Sequence, residues 1–154
     1  MPTPLTTPQL DVASVDPGYT RADIELLDVD HAGSSYEGRV FVNNPDATEE
    51  TEPSPENGYV GSYHIFGHGG CLGDPGHCDV KPQRAFDPRP GPPLTRARKV
   101  VMGNAQLGAD ALRDAIAGKQ VTITIVPLIR AVGPKSGHDD DIVKVGAVRI
   151  VTYR

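Results

Sequence analysis

Alternating apolar and polar residues mark six stretches of this chain as candidate β-strands. The clearest pattern lies in residues 120–128, where Val121-Thr122-Ile123-Thr124-Ile125 alternates strictly and must turn its apolar side chains toward a core. Residues 22–29 begin in the same way. The other four candidates are residues 38–43, 59–66, 95–102 and 142–153.

The same alternation predicts which side chains share a face of each strand. On the strand at 22–29, Ile24 and Leu26 are expected on one face, with Asp23 and Glu25 on the opposite one.

Several residues have a predicted place within these strands. Tyr59, Tyr63 and Phe66 are expected to belong to the core. Gly146 falls in the middle of the last candidate strand and predicts a β-bulge there. Pro127 has no backbone N–H group, so it should either end its strand or lie on a sheet edge.

One helix is predicted, at about residues 107–117, because apolar residues recur there at three- and four-residue spacing and Gly118 follows as a C-terminal stop. A single helix among antiparallel-looking strands predicts a mostly β fold, an antiparallel β-sandwich or flattened barrel of about six to seven strands. The expected organisation is an extended N-terminal segment over residues 1–20 and one β-sandwich domain over residues 21–154.

Length and charge exclude several classes of partner. The chain has 154 residues, the size of one ordinary domain. Its formal net charge of −5 argues against a nucleic-acid partner, which usually requires a basic surface. No run reaches the ~18 apolar residues needed to span a bilayer. No signal peptide is visible, so the chain is expected in the cytoplasm or exported together with a partner.

The stretch from 67 to 94 is rich in Gly and Pro and contains no strand pattern. Compact domains seldom carry structureless loops above ~15 residues unless the loop binds or covers something. Thiolate and imidazole groups are suitable ligands for Cu(I) or Zn(II), so the loop predicts a copper site, with zinc as the alternative. The expected ligands are His68, Cys71, His77 and Cys78, with Asp74 and Asp79 as secondary candidates.

The two cysteines also allow other interpretations. A Cys71–Cys78 disulfide would close a small loop and stabilise the fold by roughly 2–3 kcal/mol in the chain-entropy model. Such a bridge is expected only in an oxidising compartment. Two free thiols are the remaining alternative.

A succession of short motifs resembles a known family. In chain order, the motifs are Gly38-Arg39-Val40-Phe41-Val42-Asn43, an acidic loop, Gly61-Ser62-Tyr63-His64-Ile65-Phe66-Gly67-His68-Gly69, the predicted helix, Val121-Thr122-Ile123-Thr124-Ile125-Val126-Pro127 and Val143-Lys144-Val145-Gly146-Ala147-Val148-Arg149-Ile150. Over about residues 36–153 this order is similar to the C-terminal β-sandwich domain of polyphenol oxidases and tyrosinases, which is related in architecture to the C-terminal domain of hemocyanins. The chain departs from the plant members at residues 70–94, where they have a short connection. The strand at 22–29 falls outside the matched part.

The resemblance implies a non-catalytic domain that packs on a helical dicopper domain and can cover the entrance to its active site. The dicopper site of that family takes six imidazoles. This chain is not the oxidase by itself, because it has only five histidines: His31, His64, His68, His77 and His138. No Gly-x-Ser-x-Gly motif of a serine hydrolase occurs, and the remaining alternative is a thiol enzyme that pairs Cys71 or Cys78 with a histidine, since His77 neighbours Cys78.

Three functions follow from these observations. The first is an accessory domain or subunit of a tyrosinase-like copper oxidase. The second is a freestanding copper- or zinc-binding protein that uses the Cys/His loop at 68–79. The third is a structural or assembly module without a ligand, closed by the Cys71–Cys78 disulfide.

Overall fold

Short strands make up most of the structure, a computed structural model that describes residues 2–67, 86, 88, 96–103, 109–129 and 141–154. The elements, in chain order, are β1 (Leu5–Thr6), β2 (Arg21–Val29), β3 (Tyr36–Val42), a 3₁₀ turn (Pro55–Asn57), β4 (Tyr59–Ile65), β5 (Ala97–Gly103), α1 (Ala109–Ala117), β6 (Ile123–Leu128) and β7 (Ala147–Tyr153).

The strands form two antiparallel sheets. One has four strands in the order β1-β6-β3-β4, and the other has three in the order β5-β2-β7. The predicted mostly β, sandwich-like fold is therefore confirmed, with seven strands and one α-helix in the described part of the chain. No helix among the described residues is long and apolar enough to cross a membrane.

One main core lies between the sheets and α1. Ile24 and Leu26 of β2 and Ile123 and Ile125 of β6 are completely buried, as their alternation predicts. Leu112 on α1 is buried against the same cluster. Each aliphatic side chain of this size contributes about 1.5–3 kcal/mol when it leaves water, so the alternating strands account for much of the stability.

A bulge in β4 interrupts the alternation of that strand. Val40 of β3 pairs with Gly61 and Phe41 pairs with Tyr59, so Val60 has no residue directly opposite. Val60 therefore faces the core, while Tyr59 lies half-buried on the outer side of the sheet against Phe41, with 5.5 Å between the ring centroids.

The prediction that Phe66 belongs to the core is wrong. Tyr63 and Ile65 are buried, and β4 ends at Ile65. The next side chain, that of Phe66, points away from the core and is 86% exposed. Of the three aromatic residues predicted as core, Tyr63 is buried and Tyr59 is half-buried.

The prediction of a bulge at Gly146 is also wrong, because β7 begins only at Ala147. The irregularity lies in β2, where the register with β5 shifts between Leu26 and Val29 and Asp28 has a left-handed φ of 54°. Asp is one of the few residues that tolerate this conformation. Glycine is needed at position 146 because a Cβ atom there would lie 2.8 Å from the Cβ of Asp28.

The N-terminal segment contributes a strand that the sequence pattern does not predict. Leu5 and Thr6 pair with Ile125 and Thr124 of β6, and the hydroxyl groups of Thr6 and Thr124 lie 3.1 Å apart. Pro127 comes after this short pairing, on a part of β6 that β1 does not cover. Its missing N–H group therefore leaves the pairing with β1 intact, in line with the predicted edge position.

The end of α1 differs from the prediction in one respect. The helix ends at Ala117, just before the predicted stop at Gly118, but the residue in the left-handed conformation is Lys119, with φ of 56°. The Lys119 N–H donates to the Ile116 carbonyl oxygen at 3.0 Å and closes the last turn. The first residues of the predicted helix fall within 104–108 and lie outside the described residues.

Candidate functional site: a sheet face rich in arginine

The predicted Cys/His site cannot be placed in the fold. All candidate ligands of this site lie outside the described residues: His68, Cys71, Asp74, His77, Cys78 and Asp79. The alternative Cys71–Cys78 disulfide lies outside them for the same reason. In the described part of the chain, no group of three or more His, Cys, Asp or Glu side chains is arranged to hold a metal ion. Copper or zinc binding by the loop therefore stays a prediction from the sequence.

The outer surface of the three-stranded sheet combines charged and apolar side chains in a small area. The register places Arg21, Asp23 and Glu25 of β2 on the face opposite the buried Ile24 and Leu26, and their neighbours on β5 and β7 share that outer surface. We call this surface the arginine face. It consists of Arg21, Asp23 and Glu25 on β2, Arg98, Val100 and Met102 on β5, and Arg149, Val151 and Tyr153 on β7.

Glu25 lies at the centre of the arginine face and is held by two arginines from the neighbouring strands. Arg149 donates from Nε to Glu25 Oε2 at 2.6 Å, and Arg98 donates from a terminal guanidinium nitrogen to Oε1. Only 2% of the Glu25 side chain is exposed, because the neighbouring side chains cover it. Hydrogen bonds from Arg149 and then Arg98 hold the pKa of the Glu25 carboxyl below its ordinary value of 4.5.

Asp23 is the second covered carboxylate of the arginine face. Its Oδ2 lies 3.1 Å from a guanidinium nitrogen of Arg21, whereas its Oδ1 is buried without a hydrogen-bond partner. The Arg21 guanidinium also stacks over the ring of Tyr153, 4.3 Å from the ring centroid. The sequence pattern predicted the face of Asp23 and Glu25 correctly but not their burial, because their covering residues lie on distant strands.

The Glu25 cluster predicts a specific pH dependence of stability. Because the folded state lowers the pKa of Glu25, its contribution is fully present above about pH 4.5 and is lost as the pH falls through the lowered value. Glu25→Gln should therefore destabilise the fold at neutral pH, and the difference from the unmodified protein should shrink toward pH 3. Urea unfolding curves across this range would measure the effect.

Glu49→Gln is the matched control for this experiment. Glu49 is exposed in the loop between β3 and β4 and has no ion-pair partner among the described residues. The free energy of unfolding of the Glu49→Gln variant should equal that of the unmodified protein at every pH. If the free energies of unfolding of Glu25→Gln and the unmodified protein changed with pH in the same way, the prediction that Arg98 and Arg149 stabilise the ionised Glu25 would be wrong.

Apolar side chains lie beside the ion pairs on the edge strands. Met102 is 57% exposed, and Val100 is 42% exposed, both on β5. On β7, Tyr153 is 39% exposed. Arg, Met and Tyr are among the residue types enriched in protein–protein interfaces.

Comparisons with known proteins find similarity at the level of structure. No family model matches the chain, and no curated protein does. Among solved structures, the chain is similar to "Recombinantly expressed latent aurone synthase (polyphenol oxidase)", with a TM-score of 0.50 and 14% sequence identity. The likeness is one of fold.

The two chains in that comparison differ greatly in length. The match covers 97% of this chain but only 24% of the polyphenol oxidase chain. A structural relationship to a polyphenol oxidase, expected from the order of the short motifs, is therefore supported for nearly the whole chain, including β2, which the motifs did not cover. A weak relationship of this kind assigns a fold to the chain and leaves its role open.

Proposed function

We propose that this chain is an accessory domain or subunit that packs against a helical dicopper domain of tyrosinase type and stabilises that domain or covers its entrance. One observation carries the proposal. Almost the entire chain resembles about a quarter of a polyphenol oxidase chain. The five histidines of the sequence agree with a supporting role, since they are too few for a dicopper site of that family.

The arginine face is the surface proposed to contact the partner. The carboxylate of Glu25 already fixes Arg98 and Arg149 in position, so little side-chain entropy would be lost when a partner binds them. Each guanidinium has five N–H donors and uses only some of them on Glu25. The remaining donors are available for carboxylates of the partner.

Charge favours the same surface. Three guanidinium groups face two carboxylates there, which leaves the arginine face with a net positive charge on a chain whose formal charge is −5. A partner surface with exposed carboxylates would therefore be drawn to this side of the molecule. The proposed partner surface is acidic at its rim, with an apolar patch opposite Val100 and Met102.

Co-expression with a tyrosinase-type dicopper domain from the same organism tests the proposal. The expected result is a stable complex by size-exclusion chromatography with light scattering, together with a higher melting temperature of the dicopper domain or a slower oxidation of phenols. If the chain forms no complex and changes neither the stability nor the oxidation rate of the partner, the proposed function is wrong.

Two variants test the docking surface within this proposal. Met102→Glu replaces an apolar contact by a carboxylate that would face the acidic partner surface, and it should weaken the complex at least about tenfold. Phe66→Glu is the matched control, since Phe66 is an exposed apolar residue that follows a strand of the other sheet. Equal affinities of the two variants would mean that the partner binds a different surface.

A further inference from the structure

A second candidate site lies where the N-terminal segment passes the end of α1. A groove of about 360 Å³ opens between residues 12–19 and residues 113–119. We call it the N-terminal groove. Its volume is at the lower end of the range found for small-molecule sites, about 300–1,000 Å³.

The wall formed by the N-terminal segment is held by local hydrogen bonds. The side chain of Asp11 accepts from the backbone N–H of Ala13 at 2.9 Å, and that of Asp16 accepts from the N–H of Gly18 at 2.8 Å. These are Asx turns, which fix the path of a chain without regular secondary structure. An ion pair with Arg154 anchors Asp16 to the end of the chain. The groove is therefore formed in advance of any ligand.

The floor of the N-terminal groove is apolar. Val12 and Ile116 are buried members of the main core, and Val15 packs against the same cluster. These side chains would contact an apolar ligand body and would exclude water from it. A ligand without a sizeable apolar part would gain little from the groove.

Polar groups of the groove point to one kind of ligand head group. Arg113 lies with its guanidinium carbon 5.7 Å from the centroid of the Tyr19 ring, and Lys119 lines the same groove. Within the described part of the chain, neither cation forms an ion pair with a carboxylate.

We infer that the N-terminal groove binds a small monocarboxylic acid with an apolar aryl or alkyl body. The body would lie on Val12, Val15 and Ile116, while the carboxylate would pair with the guanidinium of Arg113 and the ammonium of Lys119. This inference is independent of the docking proposed for the arginine face.

The probe for this site is 4-phenylbutyrate, and 4-phenylbutyramide is its uncharged counterpart. A dissociation constant on the order of 1 mM is expected for a probe of this size, which an NMR titration of the backbone amides can measure. The shifted amide signals should map to residues 12–19 and 113–119. The amide should bind at least about tenfold more weakly, because it lacks the charge that the two cations would pair with.

Three variants complete the test. Arg113→Gln and Lys119→Gln change exposed side chains and should each weaken phenylbutyrate binding, by about tenfold for Arg113. Arg96→Gln, an exposed arginine of the strand-β5 region, is the control and should bind like the unmodified protein.

The inference is overturned by any of three results. The first is the absence of shifts in the groove at several millimolar phenylbutyrate. The second is equal binding of the acid and the amide. The third is unchanged affinity in both Arg113→Gln and Lys119→Gln, because the carboxylate would then have no charged partner in the groove.

Discussion

Gly38→Ala should lower the free energy of unfolding by about 2–3 kcal/mol, since the core has no space for the added methyl group. A Cβ atom at this position would lie 2.4 Å from Cε1 and 2.5 Å from Cζ of Tyr63. Tyr63 is directly opposite Gly38 in the β3–β4 ladder and its ring is buried. The ring would have to leave its place or the strands would have to separate, and denaturant unfolding measures the loss.

A double-mutant cycle identifies the cause of this loss. If the clash is with the Tyr63 ring, Gly38→Ala should cost at least about 1 kcal/mol less when Tyr63 is replaced by Leu. Gly33→Ala is the matched control, because its added Cβ would lie 3.5 Å from Ile142 Cγ1, an ordinary contact, and its effect should stay within about 0.5 kcal/mol. If the effects of the two substitutions on the free energy of unfolding were strictly additive, the loss in Gly38→Ala would not come from a clash with the Tyr63 ring.

Alkaline solution should unfold the protein through Tyr36 and Tyr63. Their hydroxyl groups lie 3.2 Å apart and their rings pack edge to face. Burial raises the pKa of both phenols above the ordinary value of 10. The stability they contribute is therefore present below pH 10 and is lost as the pH rises above it, by about 1.4 kcal/mol per pH unit for each tyrosine that stays neutral in the fold.

At about pH 12 the loss from Tyr63 alone would reach about 3 kcal/mol, a large part of the total stability of a small domain, and Tyr36 adds to it. Tyrosinate absorbance, followed together with circular dichroism, should show the phenolates of Tyr36 and Tyr63 only as the sheets unfold. The Tyr36→Phe/Tyr63→Phe variant should resist alkali better than the unmodified protein. Tyr153→Phe, on the arginine face, is the control and should not. Ionisation of all five tyrosines before any loss of β structure would contradict the prediction.

The fold could be predicted where a single local signal decides the structure. Strict alternation at Val121, Ile123 and Ile125 places three completely buried side chains on one face of the chain, and three- and four-residue spacing predicts α1 to its last residue. These signals depend only on the geometry of a strand or a helix. They do not require knowledge of which strands pair.

The features that could not be predicted depend on pairing. The bulge at Val60 shifts Tyr59 away from the core, and nothing within β4 reveals it before β3 is in register. Leu5–Thr6 is too short for a periodicity of its own and is a strand only because β6 lies beside it. The burial of Glu25 depends on arginines supplied by two other strands, so the arginine face has no signature in consecutive residues.

The order of strands determines when the protein can fold during its synthesis. β2 is the middle strand of its sheet, and both of its neighbours come much later in the chain. Ile24 pairs with Val101 of β5 on one side and with Ile150 of β7 on the other. At about 5–20 residues per second, a ribosome needs roughly 6–25 s between making β2 and making β7. Throughout this interval β2 lacks its partner on the β7 side, so the three-stranded sheet closes only once β7 has been made.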